Sequence, residues 1–269
     1  VKTGLLDSNL FIGNAIISFY AKCGFLPAAQ NVSDFLPLRD VVSWTTLISG
    51  YADHGYGEQA LKLLKEMKVD RVFPNVVTFV CLLKACGNIR DLGKGEKIHN
   101  EIASKGLIER DVVLSTALVD MYSKCGALEK AQQALDGIPS RDVVSWSAII
   151  AGYAHAQRGH EALKCAERMR SEGFSPDAIS FLSALNACTH SGLLEKGEIY
   201  FDMMCSSYGI IPTLEHHTCM VVGFAYVGHF DKAISVIKIM PSFDYPPVWI
   251  ALLSACRKWG NVKLGRSAF

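Results

Sequence analysis

The sequence predicts an all-α fold, a right-handed α-solenoid of stacked helix–turn–helix units. Three observations carry that expectation. Long strings return at a fixed offset, apolar residues follow helical rather than strand spacing, and glycine and proline punctuate the chain at regular places. Asp40-Val41-Val42-Ser43-Trp44 returns as Asp142-Val143-Val144-Ser145-Trp146, a shift of 102 residues. The same shift maps Ala21-Lys22-Cys23-Gly24 onto Ser123-Lys124-Cys125-Gly126, Lys84-Ala85-Cys86 onto Asn186-Ala187-Cys188, and Gly95-Glu96 onto Gly197-Glu198.

A period of 102 residues is too long for one helical hairpin, and it divides into three. Residues 10–40, 41–75 and 76–111 form units of 31, 35 and 36 residues, here called short, standard and long. Residues 112–142, 143–177 and 178–213 repeat those lengths. A last short unit of 32 residues covers 214–245, a partial unit covers 246–269, and residues 1–9 read as the tail of a preceding long unit. Each unit reads as two helices. In 41–75, Trp44, Leu47, Ile48 and Tyr51 share one helical face, Gly55 and Gly57 bracket a turn, and Ala60, Leu61, Leu63, Leu64 and Met67 supply a second apolar stripe. Phe73-Pro74-Asn75 makes the exit, because proline cannot continue a helix. Small residues (Gly50, Ala60, Gly152, Ala162) recur where two helices must cross closely. One hairpin cannot bury its own apolar faces, so stacked neighbours must form the core.

Composition bounds the function less than it bounds the fold. Half of the 269 residues are apolar, 20% are charged, and the formal net charge is +1. No chain-wide basic surplus points to nucleic acid, so any RNA binding must lean on base contacts more than on phosphate attraction. The nine cysteines are odd in number and form no C-x-x-C, which fits small buried thiols better than a secreted disulfide framework. No apolar run is long enough for a membrane span. The chain opens at Val1 and starts and stops within the repeat pattern, so it reads as part of a longer protein whose targeting segment lies elsewhere.

Several strings carry a resemblance: Asn14-Ala15-Ile16-Ile17 followed by Tyr20-Ala21-Lys22-Cys23-Gly24; Val41-Val42-Ser43-Trp44-Thr45; Leu82-Leu83-Lys84-Ala85-Cys86; and Val248-Trp249-Ile250-Ala251-Leu252-Leu253-Ser254-Ala255-Cys256-Arg257. With the alternating unit lengths, they make the chain resemble plant pentatricopeptide repeat proteins of the mixed-length (PLS) class. The last string resembles the start of the extension motif that follows the repeats in organelle RNA-editing factors. The tetratricopeptide repeat is also a helical hairpin, but its strict 34-residue period does not match.

The resemblance implies sequence-specific binding of single-stranded RNA, one base per unit, as the specificity module of an organelle C-to-U editing factor. It also implies a mitochondrial or chloroplast location and possible editing-cofactor proteins as partners. In the family, bases are read by the fifth residue of the first helix and the last residue of the unit. Carried over, Asn14 with Asp40 implies uracil, Thr45 with Asn75 adenine, Thr116 with Asp142 guanine, and Ser147 with Asp177 guanine. The long units offer Val80 with Asp111 and Leu182 with Thr213, whose aliphatic members cannot hydrogen-bond a base. The last short unit offers Thr218 but ends at Tyr245, where the family has Asp or Asn. The implied core is U-A-N-G-G. The second residue of each unit, which sandwiches bases in the family, is Phe11, Val42, Val77, Val113, Val144 and Ile179, with Glu215 breaking the series. Lys22 and Lys124 share position thirteen of the short units and are phosphate candidates.

Each of these residues also has a plainer role open to it. Asp40, Asn75, Asp142 and Asp177 are good helix N-caps, and a Val at position two could pack between helices. A helical scaffold for protein partners, or a factor for organelle RNA splicing, stabilisation or processing, is the alternative to RNA editing. No catalytic constellation is present, so the chain reads as no enzyme and as needing no cofactor. His99-Asn100-Glu101 matches half of a zinc-deaminase signature without its P-C-x-x-C partner. His216 and His217 are adjacent, a poor chelate, and are expected on the surface.

Overall fold

A computed structural model describes residues 10–108, 111–242 and 244–268. The expected tail of a preceding unit, residues 1–9, lies outside the described residues. All sixteen elements among the described residues are α-helices, and they fall into two compact units, 1–141 and 142–269.

The first unit contains α1 (Leu10–Lys22), α2 (Leu26–Asp34), α3 (Val41–Asp53), α4 (Gly57–Val69), α5 (Val76–Ile89), α6 (Leu92–Ser104), α7 (Val112–Lys124) and α8 (Leu128–Asp136). Within it, each odd-numbered helix packs on the even-numbered helix that follows it, and α1, α3 and α5 each pack on the next odd-numbered one as well. The second unit repeats this plan with α9 (Val143–His155), α10 (Gly159–Ser171), α11 (Ala178–His190), α12 (Leu194–Ser206), α13 (Leu214–Tyr226), α14 (Phe230–Lys238), α15 (Pro246–Trp259) and α16 (Val262–Ala268). The difference in repeat length resides mainly in the second helix. It has nine residues in α2, α8 and α14, and thirteen in α4, α6, α10 and α12.

The α3–α4 hairpin shows why the sequence folds this way. Asp40 starts α3 through a capping box: its carboxylate accepts the Ser43 N–H at 2.8 Å, and the Ser43 hydroxyl accepts the Asp40 N–H at 3.3 Å. Trp44, Leu47 and Ile48 are fully buried. Gly55, at φ +83°, ends the helix, and the next N–H, from Tyr56, returns to the Tyr51 carbonyl at 2.8 Å. Gly50 lets α3 approach the preceding hairpin: a Cβ there would stand 2.7 Å from the Ala21 Cβ. Arg39 ties successive hairpins together. Its guanidinium pairs with Asp34 at 3.3 Å and Asp70 at 2.8 Å and lies 4.4 Å over the Trp44 ring.

Two expectations are corrected. His216 and His217 are not surface residues; they are 2% and 4% exposed. The helix that carries them, α13, packs against α11, α12, α14 and α15, so directions about 100° apart around it are both covered. Burial of the cysteines is also incomplete. Cys86, Cys165, Cys188, Cys219 and Cys256 are buried, whereas Cys23 and Cys205 are exposed. No described helix is long and apolar enough to cross a membrane.

Candidate nucleic-acid interface

The residues singled out from the sequence sit on the first helix of each hairpin or at the start of the next. The short unit 10–40 shows how they meet. Asn14 on α1 and Asp40 at the start of α3 are 26 positions apart, yet the Asn14 amide donates to Asp40 Oδ1 at 3.3 Å. Ser43 joins them, its hydroxyl lying 2.6 Å from Asn14 Oδ1 and 2.8 Å from Asp40 Oδ1. Burial alone would raise the Asp40 pKa, but the hydrogen bonds from Ser43 and Asn14 outweigh it and hold the carboxyl below its ordinary value.

The standard units use a relay of hydroxyls. Thr45 Oγ1 lies 2.7 Å from Thr78 Oγ1, and the Thr78 hydroxyl donates to Asn75 Oδ1 at 2.9 Å. The Thr78 backbone N–H also reaches Asn75 Oδ1, at 2.9 Å. A backbone N–H can only donate, so the inward atom of the Asn75 amide must be oxygen and the NH2 group is left over. The second unit of the structure repeats the relay: Ser147 Oγ lies 2.7 Å from Ser180 Oγ, and the Ser180 hydroxyl donates to Asp177 Oδ1 at 2.8 Å. The Ser180 N–H occupies the same oxygen at 2.8 Å. Cap and pair are therefore one hydrogen-bonded cluster, and the two roles open to Asp40, Asn75 and Asp177 do not compete.

The capping hydroxyls Ser43, Thr78 and Ser180 join these candidate pairs, and the sequence reading left them inside recurring strings. Their signal was present as Asp/Asn-x-x-Ser/Thr at the unit boundaries that open with Asp40, Asn75, Asp142 and Asp177.

The remaining pairs differ. Thr116 is buried on α7, at 8% exposure, in the first structural unit. Asp142 begins the second, where its Oδ1 caps α9 by accepting the Ser145 N–H at 2.8 Å. Asp111 caps α7 through the Leu114 N–H at 3.0 Å, but Leu114 has no hydroxyl to extend toward Val80, which is half-buried. Thr213 caps α13, with His216 standing where the units that open at 41, 76, 143 and 178 have Ser or Thr, and the fifth residue of its unit, Leu182, is half-buried. The Thr218 hydroxyl turns back to the Leu214 carbonyl at 2.7 Å. Tyr245 makes no side-chain cap, and Pro246-Pro247 open α15 after it.

The second residues of the units are exposed. Phe11, Val42, Val77, Val113, Val144 and Ile179 range from 51% to 80% exposed, so Val42 and Val144 are not consumed by packing between helices. Lys22 is exposed at the end of α1 and makes no ion pair among the described residues. Lys124 is also exposed and pairs with Asp120 at 2.7 Å. A hollow of about 400 Å³ in the first structural unit is lined by Lys22, Thr45 and Val77, with Ser18, Ser49 and Asp53 between them. A comparable hollow of about 360 Å³ in the second is lined by Leu182, Asn186, Glu215, Thr218 and Tyr245. Among the described residues, no group of three or more His, Cys, Asp or Glu could hold a metal ion.

Comparison with known proteins places these features in a family. A family model for the PPR repeat family matches residues 39–88 and 141–190, and a model for the PPR repeat matches 77–107, 179–208 and 215–245. A pentatricopeptide repeat-containing protein of Arabidopsis thaliana is 39% identical over 100% of this chain, which spans 33% of that protein. The chloroplastic pentatricopeptide repeat-containing protein CRR2 of the same plant is 38% identical over 97% of the chain, which spans 40% of it. Among solved structures, the pentatricopeptide repeat protein PPR10 in complex with an 18-nt psaJ RNA element superposes with a TM-score of 0.63 at 18% identity. That match covers 96% of this chain and 44% of the other. PPR10 from maize gives a TM-score of 0.59 at 18% identity, covering 95% and 42%. At such identity the likeness is one of fold, the helical-repeat solenoid.

Proposed function

Because this chain belongs to the pentatricopeptide repeat family, we propose that it binds single-stranded RNA in a sequence-specific way, reading one base per unit. The observation that carries the proposal is the hydrogen-bonded pairing of the fifth residue of a unit with its last, at Asn14–Asp40, Thr45–Thr78–Asn75 and Ser147–Ser180–Asp177. In each cluster the cap consumes one side-chain atom and leaves the other. Asp40 and Asp177 keep a carboxylate oxygen that can accept, and Asn75 keeps an NH2 that can donate. An acceptor suits the ring N–H of uracil or guanine, and a donor suits the ring nitrogen lone pair of adenine or cytosine. Thus Asp falls in the units assigned uracil and guanine, and Asn in the unit assigned adenine. The exposed residues at position two supply apolar faces on which a base can lie. Lys22 and Lys124 are the phosphate contacts of this reading.

The proposed core is U-A-N-G-G, and the proposed setting is the specificity module of an organelle C-to-U editing factor of the PLS class, in a chloroplast or mitochondrion. The strings at 248–257 and the alternation of second-helix length support that setting. The test is binding of RNA carrying U-A-N-G-G against a scrambled RNA at one stated salt concentration, because phosphate attraction alone favours neither. Equal affinity would defeat the base-reading proposal and leave a helical scaffold for protein partners as the better reading. Exchanging Thr45 for Asn together with Asn75 for Asp should move the preference at the second base from adenine to uracil.

A further inference from the structure

The long unit 178–213 has no polar residue at its fifth position, because Leu182 is aliphatic. Its last residue is Thr213, whose hydroxyl could in principle either donate to a base or accept from one. The structure removes that freedom through His216. The His216 Nε2 lies 2.9 Å from the Ala178 carbonyl oxygen, which can only accept, so Nε2 carries the ring proton. In a neutral imidazole Nδ1 is then an acceptor. It sits 2.8 Å from Thr213 Oγ1, with the Thr213 backbone N–H at 3.3 Å. The Thr213 hydroxyl is therefore the donor in its contact with His216. The Glu215 carboxylate, which also interacts with Thr213, is a second acceptor for that single proton; with the proton on either partner, the Thr213 oxygen is left to accept. His216 is 2% exposed, and burial lowers its pKa in spite of the Ala178 hydrogen bond, so the neutral ring is the form present near neutral pH.

We propose that His216 is a specificity-positioning residue: it fixes Thr213 as a hydrogen-bond acceptor, so that the long unit 178–213 selects uracil or guanine over adenine or cytosine. This rests on the base-reading proposal above and deepens it. The single Thr213 oxygen also caps α13, and with its proton held by the protein its remaining lone pair is the acceptor offered to a base, as the free carboxylate oxygen is in the units ending in Asp. A unit that its fifth residue marks as silent then gains a partial reading, and the core extends to U-A-N-G-G followed by U or G. The selection comes from a residue three positions into the next unit, outside the pair that defines the reading elsewhere.

The test uses four short synthetic single-stranded RNAs that share U-A-N-G-G and differ only in the following base, with the scrambled RNA as reference. The expected result is binding about tenfold tighter for U or G than for A or C at that base, the size of one hydrogen-bond mismatch. His216→Ser combined with Glu215→Ala should flatten the preference, because neither acceptor then holds the Thr213 proton and a serine hydroxyl rotates to accept or donate, while discrimination of the core from the scrambled RNA is kept. Thr213→Asn should reverse the preference toward A and C. Core discrimination with four equal affinities, or a preference for A or C, in the unmutated chain would overturn the role of His216. So would an unchanged preference in the His216→Ser, Glu215→Ala double variant with its fold intact by circular dichroism. Failure to discriminate the core at all would overturn the underlying reading and this inference with it.

Discussion

Replacing Asn75 with Asp changes one atom at the base edge and little else. The cap survives, because Asp40 and Asp177 hold the same box with a carboxylate in this molecule. Asn and Asp are nearly equal N-caps, so the expected stability change is within about 0.5 kcal/mol. The atom left over by the cap changes from an NH2 donor to a carboxylate acceptor. Against adenine, two acceptors then face each other and a hydrogen bond is lost, at a cost of about 1–3 kcal/mol. Against guanine, the ring N–H gains a charged acceptor, at the upper end of hydrogen-bond strength, about 1.5–3 kcal/mol. Together these shift the guanine-to-adenine preference at the second base by about 2.5 kcal/mol or more, roughly two orders of magnitude in relative affinity. The assay is fluorescence anisotropy with U-A-N-G-G and U-G-N-G-G RNAs at one salt concentration. The ratio of the two affinities cancels the general weakening that an added negative charge imposes on both. Retained preference for adenine, or equal weakening of both RNAs with an unchanged melting temperature, would refute the argument that the cap decides which atom faces the base.

Three further outcomes are expected. Gly50→Ala should destabilise the chain by about 1–2 kcal/mol in urea titration. The new Cβ would stand 2.7 Å from the Ala21 Cβ, and that overpacking exceeds the gain in helix propensity. The depressed folded-state pKa of Asp40 means that its contribution is present in full above the ordinary aspartate value of 3.8 and is lost as pH falls through the lower folded value. Melting temperatures of Asp40→Asn and the unmutated chain should accordingly converge as pH falls below about 4. Lys22→Ala should weaken binding alike for matched and scrambled RNAs and reduce the slope of log affinity against log salt by about 1, as the loss of one phosphate contact does.

Much of this was legible in the sequence, and what was not has identifiable physical causes. The all-α class followed from apolar spacing such as Trp44, Leu47 and Ile48, because a helix buried on one face must repeat its apolar residues every three to four positions. That Asn14 and Asp40 belong together came from the family resemblance, since nothing in 26 intervening residues states a contact. The structure supplies it through Ser43, a residue belonging to the next unit. The histidines went wrong because adjacent residues cannot share one helix face, so a one-sided amphipathic pattern puts at least one of them in water. α13 is covered on several sides, and satisfied hydrogen bonds to Ala178 and Thr213 make burial of both rings tolerable. The boundary between the two compact structural units at Arg141 and Asp142 has no mark in the sequence, where Asp40 and Asp142 open identical strings.

The shared clusters at Asp40, Asn75 and Asp177 also limit the alphabet in which the proposed reading can be written. The last residue of a unit must start the next helix, so its useful letters are those whose short side chain holds an oxygen over the first turn: Asp, Asn, Ser and Thr. Within that set, Asp and Asn are interchangeable for the helix and opposite for a base. A chain built this way can change target by drifting between two letters that its fold scarcely distinguishes. Tyr245 lies outside the alphabet, and Pro246 and Pro247 start α15 in its stead. On this reading, the script ends there.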